Sequence, residues 1–129
     1  MVSNSFPGAS PLSKELGKEG AGVIVATVVP PPTKRSLPIV HEYQAAIEKE
    51  LGKKEYSFTS LESYIGARVL AEALRRAGPK PTRESFMAAL DGMKAYDAGG
   101  YLVSFSPTNH NGSSFVELTI IGQGQKFNY

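Results

Sequence analysis

The side chains best suited to chemistry are two histidines and a set of serines, and their spacing gives little support to catalysis. His41 and His110 lie far apart in the sequence, and neither has a second ligand at metal spacing or an HExxH-type context. No serine occupies a GxSxG elbow, so a serine nucleophile would need a histidine and a carboxylate from distant elements. We therefore expect no enzymatic activity, no metal and no cofactor, with a hydrolase as the remote alternative.

A charged stripe and two glycine pairs have simple structural interpretations. Arg68, Glu72, Arg75 and Arg76 recur at helical spacing, which indicates a solvated helix face with a Glu72–Arg76 pair worth about a few tenths of a kcal/mol. A functional arginine is the less favoured alternative. The glycines of GKEGAG precede a strand and the Gly99–Gly100 pair opens one, so both predict turns rather than phosphate-binding loops. Asn111 begins a glycosylation sequon, although a turn would select the same residues.

One aromatic residue differs from the rest. Phe6 lies in a loop beside serines such as Ser5, a combination that offers an apolar wall and hydroxyl donors to a small ligand. For most of the remaining aromatic residues that could line a cleft, a place in the core is the favoured interpretation: Tyr43, Tyr56, Phe58, Tyr64 and Tyr101.

Composition predicts one domain and excludes several classes of protein. The chain has 129 residues, no cysteine and a net charge of +2. Its basic residues are scattered, which argues against a nucleic-acid interface, and a disulfide framework is excluded. No segment is apolar for long enough to span a bilayer, and the first residues lack the basic and apolar parts of a secretory signal.

The longest predicted helix is Thr59–Gly78, and the other elements are placed around it. We expect Ser60 to cap it, and Gly78 with Pro79 to end it. Its apolar residues cover most of the circumference, so we expect it to be packed on two sides. They are Leu61, Tyr64, Ile65, Val69, Leu70, Ala73, Leu74 and Ala77.

The sequence also predicts three further helices and a buried strand. The continuous β-branched run Val23–Val29 is typical of a parallel strand covered on both faces, and it ends at Pro30, Pro31 and Pro32. The helices are Pro11–Leu16, capped by Ser10; Ser36–Leu51, ended by Gly52; and Arg83–Leu90, capped by Thr82, with Phe86, Met87 and Leu90 pointing inward.

The C-terminal part changes to β-rich sequence. YLVSFS and SFVELTII, separated by turn residues, predict an antiparallel hairpin, and QKFNY predicts a last short strand. The fold class is therefore α/β, with about four helices, a buried parallel strand and a C-terminal antiparallel hairpin.

Four segments in order resemble a known family: SKELGKEGAGVIVATVVPPP, LPIVHEYQAAIEK, YSFTSLESYIGARVLAEALRRAGPKPTRESFMAALDGM and YDAGGYLVSFSPTNHNGSSFVELTIIG. The resemblance is to the periplasmic leucine/isoleucine/valine-type amino-acid-binding proteins of ABC importers, which have a Rossmann-like type I periplasmic-binding fold of two lobes. It covers essentially the whole chain but only the final third of such a protein.

The resemblance implies a division of this single fragment and a site. Residues 1–29 would belong to the second lobe, 30–98 would be first-lobe helices after a hinge, and 99–129 would be the C-terminal β segment. Val29, Pro30, Pro31 and Pro32 would form the hinge, and Ser5 and Phe6 would contact the ligand.

Neither Ser5 nor Phe6 is acidic, whereas the family often has a carboxylate there, so the resemblance implies an apolar, aromatic or carboxylate ligand as readily as a branched-chain amino acid. It further implies a periplasmic parent protein, an amino acid or small organic acid as ligand, and an ABC permease as partner. The alternative is a self-associating interaction module, expected as a homodimer because helices that are apolar on several faces need a cover.

Overall fold

The chain folds into a mixed sheet and a helical layer, which the computed structural model describes for residues 2–3, 9–125 and 127–128. The helices are α1 (Ala9–Leu16), α2 (Pro38–Leu51), α3 (Phe58–Ala77) and α4 (Arg83–Asp91). The strands are β1 (Val2–Ser3), β2 (Ile24–Thr27), β3 (Tyr96–Asp97), β4 (Leu102–Val103), β5 (Glu117–Ile121) and β6 (Phe127–Asn128). Over these residues, no helix combines the length and apolar character needed to cross a membrane.

The larger sheet has four strands in the order β1-β2-β5-β6. β1 runs parallel to β2, whereas β5 runs antiparallel to both β2 and β6. The predicted α/β class, its helices and its parallel strand are confirmed. However, Val25 and Thr27 of β2 are buried, while Ile24 and Ala26 are only half-buried. The prediction that this strand is covered on both faces is therefore wrong, because one face of the sheet stays open.

The start of α3 differs from the prediction. The helix begins at Phe58, and the hydroxyl of Ser57 accepts a hydrogen bond from the backbone N–H of Ser60 at 3.2 Å. Ser60 is thus inside the first turn and is not the cap; its hydroxyl lies 2.5 Å from the hydroxyl of Tyr43. The predicted end is confirmed, since Gly78 follows the helix with a φ of +95°. Two serines three residues apart can each satisfy the capping pattern, and the burial of Phe58 selects the earlier one.

The apolar surface of α3 is only partly covered. Leu61, Ile65 and Ala73 are buried, but Leu70 is 51% exposed and Leu74 is 41% exposed. The prediction that this apolar surface is covered is therefore wrong at Leu70 and Leu74. We refer to Leu70 and Leu74 as the α3 stripe.

The other helices follow their start and stop signals closely. Gly52 ends α2 with a φ of +63°, and Thr82 forms a capping box with Ser85 at the start of α4. α1 begins at Ala9, so Ser10 lies inside the helix and not at its N-cap. In α4, Met87 is exposed instead of pointing inward, whereas Phe86 and Leu90 are half-buried.

The predicted hairpin between YLVSFS and SFVELTII does not form. β4 pairs with β3, so that Tyr96 lies opposite Val103, and β5 joins the larger sheet. The C-terminal antiparallel hairpin is instead made by β5 and β6, the latter within the predicted last strand. The separation arises because the two β-rich segments border different layers, one beside the helices and the other in the sheet.

A single apolar cluster joins the sheet to the helical layer. Val25 and Ile121 from the sheet belong to the same buried cluster as Ile39 and Tyr43 of α2 and Leu61 of α3. Leu12 and Leu16 of α1 pack against this cluster. The rings of Phe58 and Phe127 meet edge to face, with 5.9 Å between their centroids. The sheet and the helical layer are therefore held together by a shared core.

Candidate functional site: the crossing segment and its cleft

The chain passes from the sheet to the helices through residues 28–32, which we call the crossing segment. Val29, Pro30, Pro31 and Pro32 are all buried. Proline has no backbone N–H, so this path through the interior leaves three fewer donors to satisfy. The consecutive prolines also explain why β2 ends at Thr27, since they cannot continue a ladder of hydrogen bonds.

Two side chains fix the crossing segment by its carbonyl oxygens. Gln44 of α2, itself 2% exposed, donates from Nε2 to the carbonyl of Pro32 at 2.7 Å. The hydroxyl of Tyr101 donates to the carbonyl of Val28 at 2.8 Å. One anchor belongs to the helical layer and the other to the loop before β4. The segment is therefore held at both ends by long-range contacts, a feature that the sequence analysis did not predict.

A cleft of about 230 Å³ lies beside the crossing segment. This volume is below the range of about 300–1,000 Å³ typical of complete ligand pockets. The walls are mostly apolar, with the carboxylate of Glu62 and the hydroxyl of Ser113 among the polar groups. The lining residues are Val28, Val29, Glu62, Ile65, Gly66, Val69, Tyr101, Val103, Phe105, Gly112 and Ser113. Such a lining suits the binding of an apolar group and contains no nucleophile beside a histidine base.

The arginines of α3 all have partners within the chain. Glu72 accepts hydrogen bonds from Arg75 Nε at 2.8 Å and from Arg76 Nε at 2.6 Å. These two guanidinium groups lower the pKa of the Glu72 carboxyl to about 2. Arg68 pairs with Glu42 of α2 at 3.2 Å. The predicted Glu72–Arg76 pair is confirmed, and the cluster serves to neutralise charge on the helix surface.

The hydroxyl of Tyr43 links α2 to the N-terminus of α3. The hydroxyl of Tyr43 accepts a hydrogen bond from the backbone N–H of Ser57 at 3.0 Å. Nearby, Tyr56 donates to the carboxylate of Glu48, which lowers the pKa of Glu48 and raises that of Tyr56. A role for these residues in positioning could not be predicted from spacing, because the partners lie on different elements.

The histidines take up separate positions. His41 is exposed on α2, and His110 lies 3.4 Å from a carboxylate oxygen of Asp91. Within residues 2–3, 9–125 and 127–128, no group of three metal-ligating side chains is found.

The predicted turn role of Gly99 agrees with its φ of +99°, and a Cβ there would lie 2.9 Å from the backbone nitrogen of Ile39.

The structure places only some of the predicted site residues. Val29 and the prolines lie in the crossing segment, as expected of residues between two layers. Ser5 and Phe6 lie outside the described residues, so their predicted contact with a ligand stays a prediction. Among aromatic residues assigned to the core, Tyr43, Phe58 and Tyr101 are buried.

Comparisons with known proteins agree on one family. The sequence profile of a family described as periplasmic binding protein matches residues 1–125. A possible leucine/isoleucine/valine-binding protein from Rhodopirellula baltica superposes with a TM-score of 0.88 at 32% identity, over 99% of this chain and 35% of that one. A substrate-binding periplasmic protein from Ralstonia solanacearum gives 0.87 at 36% identity, over 98% of this chain and 36% of that one.

A third solved structure extends the same pattern. An extracellular ligand-binding receptor from Verminephrobacter eiseniae matches with a TM-score of 0.83 at 32% identity, over 99% of this chain and 37% of that one. The chain thus spans little more than a third of the length of these structures. A comparison with curated protein sequences gave no match.

Proposed function

Because the chain belongs to the periplasmic binding protein family, we propose that it supplies part of a receptor that captures a small solute and is not an enzyme. The observation that carries this proposal is the superposition of nearly the whole chain on a relative at 32% identity with a TM-score of 0.88. The proposed parent protein is periplasmic. The apolar cleft without a nucleophile–base pair supports a binding role.

The proposed mechanism is hinge closure around the crossing segment. Residues 1–29 and the end of the C-terminal β segment 99–129 would move with one lobe, and residues 30–98 with the other. Val29, Pro30, Pro31 and Pro32 would be the hinge. The burial of these residues between the sheet and the helical layer supports this assignment, because the chain passes there from one layer to the other.

The proposed ligand is an amino acid or a related small organic acid. One relative is described as a possible leucine/isoleucine/valine-binding protein, which supports this class. We propose that Ser5 and Phe6 contact the ligand through a hydroxyl and an aromatic ring. Since neither is acidic, an apolar, aromatic or carboxylate ligand fits as well as a branched-chain amino acid. The loaded receptor would deliver its ligand to an ABC permease.

A chimera tests the proposal. The part of the Rhodopirellula baltica relative that this chain matches is replaced by residues 1–129, and the melting temperature is measured with leucine, isoleucine, valine, phenylalanine and benzoate. A ligand that binds only the folded state raises the melting temperature, because it stabilises that state by RT ln(1 + [L]/Kd). We expect at least one to produce a shift, and Phe6→Ala to reduce it.

Exposed Leu51 provides the control for the chimera. Leu51→Ala should leave the ligand-induced shift unchanged. A folded chimera with no shift for any of the five compounds would refute the proposal for this class of ligand. Equal effects of Phe6→Ala and Leu51→Ala would refute the assigned contact.

The α3 stripe favours a second candidate function, a self-associating interaction module. Leu70 and Leu74 are both more than 40% exposed on one helix. Exposed apolar patches on monomers are usually interaction sites. Light scattering on the chain alone should then give the mass of a homodimer, and Leu70→Lys should restore the monomer. A folded wild-type monomer at high concentration would remove this candidate.

A further inference from the structure

The loop before β5 contains an exposed asparagine followed by a glycine that is packed against an aromatic ring. Asn111 is exposed, and its backbone N–H donates to the side-chain oxygen of Asn109 at 2.9 Å. A Cβ at Gly112 would lie 2.6 Å from the Cζ atom of Phe105. The carbonyl of Gly112 accepts a hydrogen bond from the backbone N–H of Ser104 at 2.8 Å. A side chain at residue 112 would therefore displace Phe105.

The Asn111–Gly112 pair is arranged for an intramolecular reaction. Asparagine is one of the thermolabile residues of proteins. Within the part of the chain that the structure describes, neither the side-chain amide of Asn111 nor the backbone N–H of Gly112 has a hydrogen-bond partner. Attack of the Gly112 nitrogen on Cγ of Asn111 closes a five-membered ring, and the absence of a Cβ at Gly112 leaves this approach open. Both reacting groups are thus free of competing contacts.

We propose that Asn111–Gly112 is a site of spontaneous deamidation through a succinimide. The Gly112 nitrogen forms a bond to Cγ of Asn111, the Cγ–Nδ2 bond breaks, and the amide hydrogen of Gly112 leaves with Nδ2 as ammonia. Water then opens the ring at Cγ, which gives aspartate, or at the main-chain carbon, which gives isoaspartate. Either product carries one more negative charge, so the net charge falls from +2 to +1. The reaction does not depend on the proposed function.

The isoaspartate product alters one wall of the cleft. In this product the main chain runs through Cβ and Cγ, which adds one methylene, about 1.5 Å, directly before Gly112. Phe105, Gly112 and Ser113 all line the cleft beside the crossing segment. The hydrogen bond from Ser104 and the contact with Phe105 hold Gly112 in place, so the added methylene must displace it from at least one of them. The aspartate product keeps the main chain and changes only the charge.

Ageing of the purified chain tests the assignment. Residues 1–129 are incubated at mildly alkaline pH below the melting temperature, and mass spectrometry of the derived peptides detects the exchange of an amide NH₂ for OH. Asn109 is the internal control, because it is exposed in the same loop but precedes His110. Asn111→Gln is the matched variant, since glutamine would have to close a larger ring. Asn111→Asp introduces the charge without the added methylene.

We expect aspartate and isoaspartate at residue 111, an intact Asn109 over the same time, and no new acidic species on isoelectric focusing of Asn111→Gln. An unchanged Asn111, or equal conversion of Asn109 and Asn111, would overturn the assignment. Conversion only of the urea-unfolded chain would also overturn it, because the folded loop would then prevent the reaction.

The effect on the cleft wall is tested separately. The isoaspartate fraction, isolated by ion exchange, should melt at a lower temperature than Asn111→Asp, which has the same charge. Equal melting temperatures would show that the loop accommodates the added methylene and would overturn the predicted displacement of Gly112.

Discussion

Replacement of Gln44 by methionine should destabilise the chain through the crossing segment. The buried Nε2 of Gln44 donates to the carbonyl of Pro32 at 2.7 Å, and Gln44→Met removes this donor while nearly conserving side-chain volume. A buried acceptor that loses its partner costs about 1–3 kcal/mol. For a domain of this size, each kcal/mol corresponds to about 3–5 °C in melting temperature.

Urea unfolding measures this change directly. With a slope of about 2 kcal/mol per molar urea, the midpoint should fall by about 0.5–1.5 M while the slope stays constant. Gln123→Met is the matched control, because Gln123 is exposed in the turn before β6. It should alter the free energy of unfolding by less than about 0.5 kcal/mol. If Gln44→Met and Gln123→Met have the same small effect, the Pro32 carbonyl does not depend on Gln44 and our account of the anchor is refuted.

Three further predictions concern charge, backbone and ligand. The pKa of Glu72 is depressed to about 2, so its contribution to stability is complete above the ordinary value of 4.5 and is lost as pH falls toward 2; acid titration of unfolding should show a smaller loss in Glu72→Gln than in wild type. Gly99→Ala should lower the free energy of unfolding by about 1–3 kcal/mol, because a Cβ would lie 2.9 Å from the Ile39 nitrogen at a positive φ. Gly66→Ala, in open space on α3, should instead raise it by about 0.5–1 kcal/mol, and two destabilised variants would contradict this reasoning. Finally, the chain alone should show no shift in melting temperature with leucine, valine, phenylalanine or benzoate; a shift of several degrees would show that it contains a complete site.

Local signals in the sequence predicted the helices and strands well, but they predicted the pairing of the strands less well. The cap of α4 at Thr82 and the glycine that ends α2 depend on neighbouring residues, so they could be predicted directly. The cap of α3 was assigned to Ser60 instead of Ser57, because both serines fit the pattern and only the packing of Phe58 decides between them. The pairing of β5 was also wrong, since strand partners are chosen by tertiary packing that short-range turn signals do not contain.

In the candidate site, too, features set by neighbouring residues could be predicted and features set by distant residues could not. The proline run predicted where β2 ends, because the absence of backbone donors is a property of the residues themselves. Its two anchors, Gln44 and Tyr101, come from elements 12 and 73 residues away from their acceptors and have no signal in the local sequence. A pattern of apolar residues also indicates only that a surface is to be buried. It does not state what provides the cover, which is why α3 was expected to be packed on two sides.

The proline run has a further consequence for how motion in this protein can be observed. Pro30, Pro31 and Pro32 carry no amide hydrogen, so three of the four residues proposed to bend are invisible to amide hydrogen exchange. Exchange would report a rotation there only through the amide of Val29 at the start of the segment and that of Thr33 after it. The Gln44 side-chain amide, which donates one of its two protons to the Pro32 carbonyl, is a more direct spectroscopic reporter of the crossing segment in solution.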